Sequence, residues 1–459
     1  MMLTDMNAIV ERQRAFFRTG VTLNPAYRID CLKRLRKALL RSEGRLQDAL
    51  KQDLGKCATE AYMAEIGLLL GSLREAIGSL KRWSKPRRVG CPLAQFPAKC
   101  RVVPEPYGVT LVMSPWNYPL LLALDPLIAS IAAGNTCVLK PSELAPATAE
   151  ATAQLLGEVF KPDHVAVVQG GPEVCTRLLE QRFDYIFFTG GTAIGKIVMK
   201  AAAEHLTPLT LELGGKSPCI VDATADVRLA ARRIAFGKVL NAGQTCVAPD
   251  YALVHERVLE SFTRAFREEV QAMLGKEPLT ASDYTHIVNK RHFDRLMGLM
   301  DGTDVLLGGK GDAESLRIEP TLLGKVSPDS PCMQQEIFGP ILPILSFRDL
   351  SEAEDFVLSR PRPLACYIFT SEKSTRDRLL SSLHFGGGCI NDTVVHLAVP
   401  DLPFGGVGDS GMGAYHGKAS FDTFTHYKSI LQRGFSLDLP FRYQPYTALK
   451  RFILRLFLR

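Results

Sequence analysis

The distribution of apolar positions divides the chain into a helical part and a longer part in which short strands alternate with helices. Before residue 90, the stretch CLKRLRKALLRSEGRLQDALKQDLGK repeats apolar residues every three or four positions, with charged residues between them. This period predicts amphipathic helices. The following stretch CRVVPEPYG is short and interrupted by proline, so we expect a connecting arm there.

Short apolar runs follow, each separated from the next by a helical pattern. The runs are VTLVMS, TCVLKPSE, HVAVVQGG and YIFF, and the helical stretches include PLLLALDPLIASIAAG and APATAEATAQLLGEVF. A second alternating segment extends from LTLELGGKSPCIVD through EIFGPILPIL to about PFGGVG, and FTHYKSILQRGF is strand-like. This alternation predicts an α/β protein with parallel sheets, whose ligands bind at the carboxyl ends of the strands.

Composition narrows the classes of function. A net charge of +7 over 459 residues is small and dispersed, which argues against nucleic-acid binding. The 11 cysteines are scattered without a C-x-x-C pair, so we expect reduced thiols in the cytoplasm and neither a disulfide framework nor a metal site. We expect no signal peptide and no membrane-spanning helix.

The stretch TGGTAIGK, residues 189–196, follows a strand and opens a helix. It matches a P-loop as far as Lys196, but Ile197 stands where a P-loop has the serine or threonine that holds Mg²⁺. We therefore expect no nucleotide hydrolysis. A glycine turn before a helix still offers free N–H groups to an anion such as a pyrophosphate. A plain tight turn would give the same pattern, so both interpretations stay open at this point.

Polar side chains also follow other strands. Lys140 and Glu143 in LKPSE could clasp the two hydroxyls of an adenine ribose, although a solvated surface pair is the commoner reason for such spacing. Asn117 follows the first strand, and Glu212 precedes two glycines, which makes it a candidate general base or a salt-bridged strand end. Cys246, in NAGQTC, is a candidate nucleophile, but a buried cysteine is more often a small apolar residue.

Five motifs in a fixed order carry a resemblance. The sequences PWNYP, LELGGKSP, GQTC, EIFGP and LPFGGVGDSGMG are together similar to the aldehyde dehydrogenase superfamily. The short N-terminus and the ending PFGGVGDSGMGAYHGKASFDTFTHYKS resemble its class 3 and fatty-aldehyde branch. The resemblance covers about residues 8 to 445. It implies a Rossmann-like parallel-sheet cofactor domain, an α/β catalytic domain and a small β oligomerisation arm. The implied ranges are 1–92 and 108–211 for NAD(P) binding, 212–405 for catalysis, 93–107 and 406–440 for the arm, and 441–459 for a C-terminal tail.

The resemblance also implies the reaction and the residues that perform it. The activity would be NAD(P)-dependent oxidation of hydrophobic aldehydes, medium- or long-chain aliphatic or aromatic, to carboxylic acids. Cys246 would attack the aldehyde carbon, Asn117 and the Cys246 backbone N–H would bind the oxyanion, and Glu212 would activate the hydrolytic water. The implied cofactor residues are Lys140 and Glu143 at the adenine ribose, Thr189, Gly190, Gly191 and Gly195 at the pyrophosphate, and Glu336 and Phe338 at the nicotinamide end.

Two positions depart from the family pattern. Gly191 replaces the polar side chain often found there, so the phosphate contact would come from the backbone. Gln335 stands before Glu336 where an acid is common. Because the carboxylate of Glu143 should bind a 2′-hydroxyl and repel a 2′-phosphate, we expect NAD as cofactor, with NADP as the alternative.

Alternative functions remain open from the sequence. In a CoA-acylating dehydrogenase, CoA would take the acyl group, but such an enzyme has no use for a water-activating Glu212. A catalytically silent structural relative is the other alternative, against which the intact set of candidate residues argues.

The sequence gives less direct information about the substrate and the partners. Tyr62, Met63 and Phe404 are candidate tunnel residues, and each is equally a candidate core residue. The resemblance implies a homodimer. In the tail ALKRFILRLFLR, Arg451, Arg455 and Arg459 recur every four residues, so a helix would set them on one face. Such a helix suits peripheral contact with an anionic membrane surface, or packing onto a dimer.

Overall fold

The computed structural model describes residues 6–458 of the chain. As the pattern predicts, amphipathic helices form the first part. They are Met6–Arg18, Pro25–Arg41, Glu43–Leu54, Ala58–Ala61 and Gly67–Trp83. Between the last two, Tyr62–Ile66 is a π-helical turn. This turn completely buries the carboxylate side chain of Glu65, and π-helical turns are frequent at functional sites.

The first large sheet is mostly parallel and carries the predicted cofactor motifs. Its six strands lie in the spatial order Gly411–Met412, Leu209–Glu212, Tyr185–Thr189, Val109–Met113, Thr136–Lys140 and Val165–Val167. The connecting helices are Leu121–Ala133, Pro146–Gly157, Pro172–Leu179 and Thr192–Glu204. Four of these strands are formed by buried apolar runs, because helices cover both faces of such a sheet.

The second large sheet has seven strands. Their spatial order is Asp304–Leu307, Thr321–Gly324, Ile341–Phe347, Tyr251–His255, Pro218–Val221, Ala365–Phe369 and Gly387–Ile390. Its main helices are Val227–Val239, Leu259–Leu274, Lys290–Gly298, Leu350–Leu358 and Lys373–Ser382. Only the pair at the Asp304–Leu307 edge is antiparallel within this sheet. The expected α/β class with two parallel-sheet domains is therefore confirmed.

The first strand of the antiparallel arm lies before residue 93, where the implied range of the arm begins, and the last strand ends before residue 440. Its strands are Arg87–Val89, Lys99–Pro106 and Thr425–Gln432. Arg87 is paired with Val102 and Val89 with Cys100, so residues 87–89 belong to the sheet of the arm. The strand-like pattern of FTHYKSILQRGF is confirmed.

Most of the segment 406–424, which the sequence ranges assigned to the arm, returns to the cofactor domain. Gly411 is paired with Glu212 and Met412 with Leu211, and helix Gly417–Thr423 packs against helix Leu121–Ala133. A Cβ atom at Gly411 would overlap the carbonyl oxygen of Leu211, so a glycine permits this close pairing. Sequence spacing alone did not reveal that this pairing extends the sheet.

Candidate active site

The glycine turn at residues 189–196 forms the start of helix Thr192–Glu204. A Cβ atom at Gly190 would come within 2.6 Å of the Phe188 ring, and one at Gly195 within 2.7 Å of Leu213. These two glycines therefore allow the strand, the turn and the helix to pack closely. Gly191, by contrast, faces open space at the helix N-terminus, where backbone N–H groups can meet an anion.

Two further observations show that this turn suits a bound dinucleotide. The hydroxyl of Thr189 is buried and has no hydrogen-bond partner among the described residues, which is uncommon for a buried polar atom. A cleft of about 580 Å³ adjoins the turn, with Thr192 and Glu336 among its lining residues. Its size lies within the usual range of ligand pockets.

Lys140 and Glu143 form the pair that their spacing predicts. The ammonium group of Lys140, which is 3% exposed, donates a 2.9 Å hydrogen bond to Oε2 of Glu143. Burial raises the pKa of Glu143, but the hydrogen bond from Lys140, a backbone hydrogen bond and the charge of Lys140 together outweigh burial, and the pKa is lowered. A charged carboxylate is therefore available beside the strand end.

Glu336 lines the same cleft, and Phe338 lies two residues further along the EIFGP motif. The carboxylate of Glu336 rests directly on the backbone of Gly214, where any Cβ atom would overlap it. Burial and the nearby Asp250 carboxylate raise the pKa of Glu336 to about 8. The Phe338 ring packs edge-on against Trp116, with 5.4 Å between ring centroids.

The cysteine loop has an unusual backbone. Asn241, Ala242 and Gly243 all have positive φ values, 51°, 50° and 69°. A side chain at Gly243 would overlap the carbonyl oxygen of Gly339, so this glycine lets the loop approach the EIFGP motif. Consecutive residues with positive φ cost conformational free energy and occur where surrounding contacts impose them.

Hydrogen bonds from Gln244 and Asn117 supply such contacts. The side-chain amide of Gln244 donates 3.0 Å bonds to the carbonyls of Asn241 and His286, and its oxygen accepts from the N–H of Val288. Asn117 Nδ2 donates a 3.0 Å bond to the Gln244 carbonyl. The other Asn117 N–H has no partner among residues 6–458, so it is available to a ligand.

A buried ion pair that the sequence reasoning missed supports Asn117 from behind. Lys56 and Glu65 are both fully buried, with 2.6 Å between Nζ and Oε1. Lys56 also donates a 2.9 Å bond to the Asn117 carbonyl oxygen. Oε2 of Glu65 accepts hydrogen bonds from the backbone N–H groups of Leu120 and Leu121. Nothing in their spacing distinguishes these charges from solvated ones on a helix.

Glu212 is the last residue of strand Leu209–Glu212. It is 2% exposed, and neither carboxylate oxygen has a hydrogen-bond partner among the described residues. Burial raises its pKa well above the usual value of a glutamate. An unpartnered buried carboxylate is costly, so its retention favours a chemical role.

Cys246 lies in the turn before strand Tyr251–His255 and is half-buried. Burial raises the pKa of its thiol to about 12, with contributions from the carboxylates of Glu336 and Glu212. The three groups are therefore close enough to interact, although they are far apart in sequence. In the free protein the thiol is protonated at neutral pH.

A mostly apolar cavity of about 260 Å³ contains Cys246 in its wall. Of the three predicted tunnel residues, Met63 and Phe404 line this cavity, whereas Tyr62 does not. Tyr62 instead packs on Gly67, with its ring 3.3 Å from the position of a Cβ there. A tunnel role for Tyr62 therefore has no support from the cavity.

Comparisons with known proteins identify the family. The Aldehyde dehydrogenase family model matches residues 2–430. The chain is 47% identical to 4,4′-diaponeurosporen-aldehyde dehydrogenase of Staphylococcus aureus, over 98% of this chain and 99% of that protein. It is 42% identical to the dimeric NADP-preferring aldehyde dehydrogenase of Canis lupus familiaris, over 97% and 99% of the two chains. A structure described as the substrate-bound state of Staphylococcus aureus AldH matches with a TM-score of 0.98, 46% identity and full coverage of both chains. The chain therefore belongs to the aldehyde dehydrogenase family, in its class 3 branch, as an oxidoreductase that depends on NAD or NADP.

Proposed function

We propose that this protein oxidises hydrophobic aldehydes to carboxylic acids through a covalent adduct on Cys246. The observation that carries the proposal is the arrangement of a cavity and two side chains around one thiol. An apolar cavity has Cys246 in its wall. One amide N–H of Asn117 has no partner among the described residues. The unpartnered carboxylate of Glu212 lies close enough to Cys246 to raise the pKa of its thiol. A nucleophile, an oxyanion donor and a base are the parts that acyl transfer requires.

In the first half of the reaction, Cys246 releases its thiol proton to solvent, and the thiolate attacks the aldehyde carbon to form a tetrahedral thiohemiacetal. The free N–H of Asn117 and the backbone N–H of Cys246 stabilise the oxyanion. A nicotinamide cofactor held at this site would supply the hydride acceptor for this carbon. The acyl group then remains on Cys246 as a thioester.

In the second half, Glu212 removes a proton from a water molecule, which attacks the thioester and releases the carboxylic acid. Its raised pKa makes the carboxylate a stronger base once it is ionised. The same property lets Glu212 hold a proton between steps. A CoA-acylating enzyme would not need this base, so the buried Glu212 favours hydrolysis.

The proposed cofactor residues surround the glycine turn and the adjoining cleft. Thr189 and the backbone at Gly190, Gly191 and Gly195 would hold the pyrophosphate. Lys140 and Glu143 would bind the adenine ribose, and the charge on Glu143 favours the 2′-hydroxyl of NAD over the 2′-phosphate of NADP. Glu336 would bind the nicotinamide ribose, with Phe338 beside the ring.

The test is NADH formation from hexanal in the reduced protein, with and without CoA. We expect activity without CoA, loss of activity in Cys246→Ala with NAD binding intact, and full activity in the control Cys175→Ala. Activity only with CoA would establish the acylating alternative. A Cys246→Ala protein that keeps more than a trace of activity, or a wild type inactive with every aldehyde, would refute the proposal.

We further propose that the arm joins two copies of the chain. Thr425–Gln432 is an edge strand of the three-stranded sheet, and it exposes Tyr427 and Leu431. Exposed edges are usually protected by pairing or by charge. Sedimentation should give a dimer for the wild type and a monomer after Leu431→Pro, with Leu358→Pro outside the arm as the control. A monomeric wild type would contradict this.

For the C-terminal tail we propose peripheral contact with an anionic membrane. Residues Ala448–Phe457 form a helix with no buried residue, and Arg459 lies outside the described residues. Leu449, Phe452 and Leu456 are each at least 66% exposed, and Lys450, Arg451 and Arg455 supply positive charge. Apolar and basic side chains together suit the interface of an anionic bilayer. Within residues 6–458, no helix is long and apolar enough to cross a membrane.

Flotation with anionic liposomes at low salt tests the tail. The wild type should float, a chain ending at Thr447 should not, and high salt should release the wild type. If the truncated chain floats equally, the tail is not the contact. If truncation instead dissociates the dimer, the tail packs on the partner subunit.

A further inference from the structure

The cavity that contains Cys246 has a second, polar end. One wall is the face of helix Gly67–Trp83 formed by Gly67, Gly71 and Glu75, which are four residues apart and therefore on one side of the helix. Each such step advances about 6 Å along the axis. The cavity thus passes from an apolar region near Met63 to a carboxylate at Glu75.

A second carboxylate lies at the same end. Asp125 of helix Leu121–Ala133 lines the cavity and is 6% exposed. Glu75, Asp125 and Ser72 also line a small adjoining cavity that extends toward Trp83. A hydrogen bond from the Ser72 hydroxyl offsets part of the rise in the pKa of Asp125 that burial causes. Because an ionised carboxylate can accept about four hydrogen bonds, one bond from Ser72 does not exhaust the acceptor capacity of Asp125.

The cation that lowers the pKa of Glu75, Arg82, lies outside the lining of the cavity. Among the described lining residues there is neither a lysine nor an arginine. Burial raises the pKa of Glu75, and the carboxylates of Asp401 and Asp125 raise it further, whereas the Arg82 guanidinium lowers it. Burial likewise raises the pKa of Asp125 to about 6. With a pKa of about 6, Asp125 carries substantial negative charge above neutral pH.

An unsatisfied imidazole lies in the same wall. Nδ1 of His416 is buried and has no hydrogen-bond partner among residues 6–458, and His416 lines the cavity. Burial lowers its pKa to about 4, so the ring is neutral and cannot neutralise the acids. A polar atom without a partner in a ligand cavity indicates that a ligand or water completes its hydrogen bonding.

The wall also leaves room for a ligand to reach this end. A Cβ atom added at Gly71 would meet nothing within 4 Å, so the glycine keeps space open between Met63 and Glu75. A larger side chain there would project into the passage. The opening therefore extends to the acids without a rearrangement of the helix.

We propose that Glu75 and Asp125 form a specificity subsite for the far end of the aldehyde. The subsite would accept a hydrogen-bond-donating end, a hydroxyl or an ammonium group, and would disfavour a carboxylate. This inference rests on the proposed oxidation at Cys246, since it names the class of aldehyde that reaches the thiol. Like-charge repulsion between a substrate carboxylate and these acids is its physical cause.

The experiment compares kcat/KM for three aldehyde series at matched chain lengths of six, eight and ten carbons. The series are n-alkanals, ω-hydroxyalkanals and ω-oxo carboxylates. At the length whose end reaches Glu75, the wild type should disfavour the ω-oxo carboxylate by about tenfold against the n-alkanal, a ratio that corresponds to about 1.4 kcal/mol of repulsion. The ω-hydroxyalkanal should be preferred over the n-alkanal at the same length.

The double variant Glu75→Gln, Asp125→Asn should raise kcat/KM for the ω-oxo carboxylate by about tenfold and leave the n-alkanal within about twofold. The control Glu173→Gln removes an exposed charge outside the cavity and should change neither ratio. If the double variant is unstable, the single variant Glu75→Gln, at the less buried position, is used for the same comparison.

An unchanged discrimination ratio in a variant that still oxidises n-alkanals would overturn the subsite and leave the proposed function intact. A wild type that does not oxidise n-alkanals would instead refute the proposed function.

Discussion

The side-chain amide of Asn117 donates one N–H to the backbone carbonyl of Gln244 at 3.0 Å, two residues before Cys246. The other N–H has no partner among the residues that the structure describes, so the same hydrogen bond that orients the amide fixes the direction of the remaining donor. The Asn117 carbonyl oxygen, in turn, accepts bonds from Lys56 and Asn241. The proposed oxyanion donor is thus held at both its backbone and its side chain.

Replacement of Asn117 by alanine should lower kcat by about 10²- to 10³-fold, because one oxyanion donor is lost. NAD binding, measured by fluorescence titration, should not change. Asn7→Ala, at an exposed position, is the matched control. A reduction below about fivefold would remove Asn117 from the oxyanion site.

Lys56→Met should destabilise the protein by about 3–5 kcal/mol, because it leaves Glu65 charged and buried without its partner. The double variant Lys56→Met, Glu65→Gln should recover part of that loss. Lys290→Met, which breaks an exposed pair with Asp294, should cost less than about 1 kcal/mol. Urea denaturation measures all three. Equal effects of Lys56→Met and Lys290→Met would show that burial does not decide the contribution of the pair.

Glu212→Gln should allow acylation and prevent deacylation. Mixing enzyme with aldehyde and NAD should then give a burst of NADH near one equivalent, followed by little turnover. If the burst disappears, Glu212 acts on the thiol and not on water. Steady turnover at the wild-type rate would make Glu336 the candidate base, which Glu336→Gln would then test.

Alkylation of Cys246 in the cofactor-free protein should accelerate with pH. Because burial, Glu336 and Glu212 raise the pKa of the thiol to about 12, the thiolate fraction grows about tenfold per pH unit below that value. Peptide mass spectrometry after iodoacetamide treatment at pH 7 to 10 measures this. The rate for a cysteine-containing peptide should reach half its maximum near pH 8.5 and level off about one pH unit above that value. A plateau for Cys246 in the same range would contradict the raised pKa.

Glu143→Gln should lower KM for NADP relative to NAD by about three- to tenfold, because it removes a charge that repels the 2′-phosphate. Steady-state kinetics with both cofactors measure the ratio. Glu150→Gln, exposed on the next helix, is the control. An unchanged ratio would show that Glu143 does not contact the adenine ribose.

The sequence by itself determined the class of fold, the family and the candidate residues. Period and run length distinguish buried parallel strands from amphipathic helices, because those elements impose different spacings on apolar residues. Glycine turns likewise mark Gly190 and Gly195, since tight packing excludes side chains there. Five ordered motifs then distinguished Cys246 from the ten other cysteines. The cysteine count alone does not separate Cys246 from the others.

Only the tertiary structure decided how those residues act on one another. The Lys56–Glu65 pair, the loop at Asn241–Gly243 and the isolation of the Glu212 carboxylate depend on contacts between segments distant in sequence. Desolvation is a property of the packed interior, so the raised pKa values of Cys246 and Glu212 have no local signal. The pairing of Gly411 with Glu212 and the acidic end at Asp125 arise in the same way, because pairing and cavity walls form only when the chain has folded.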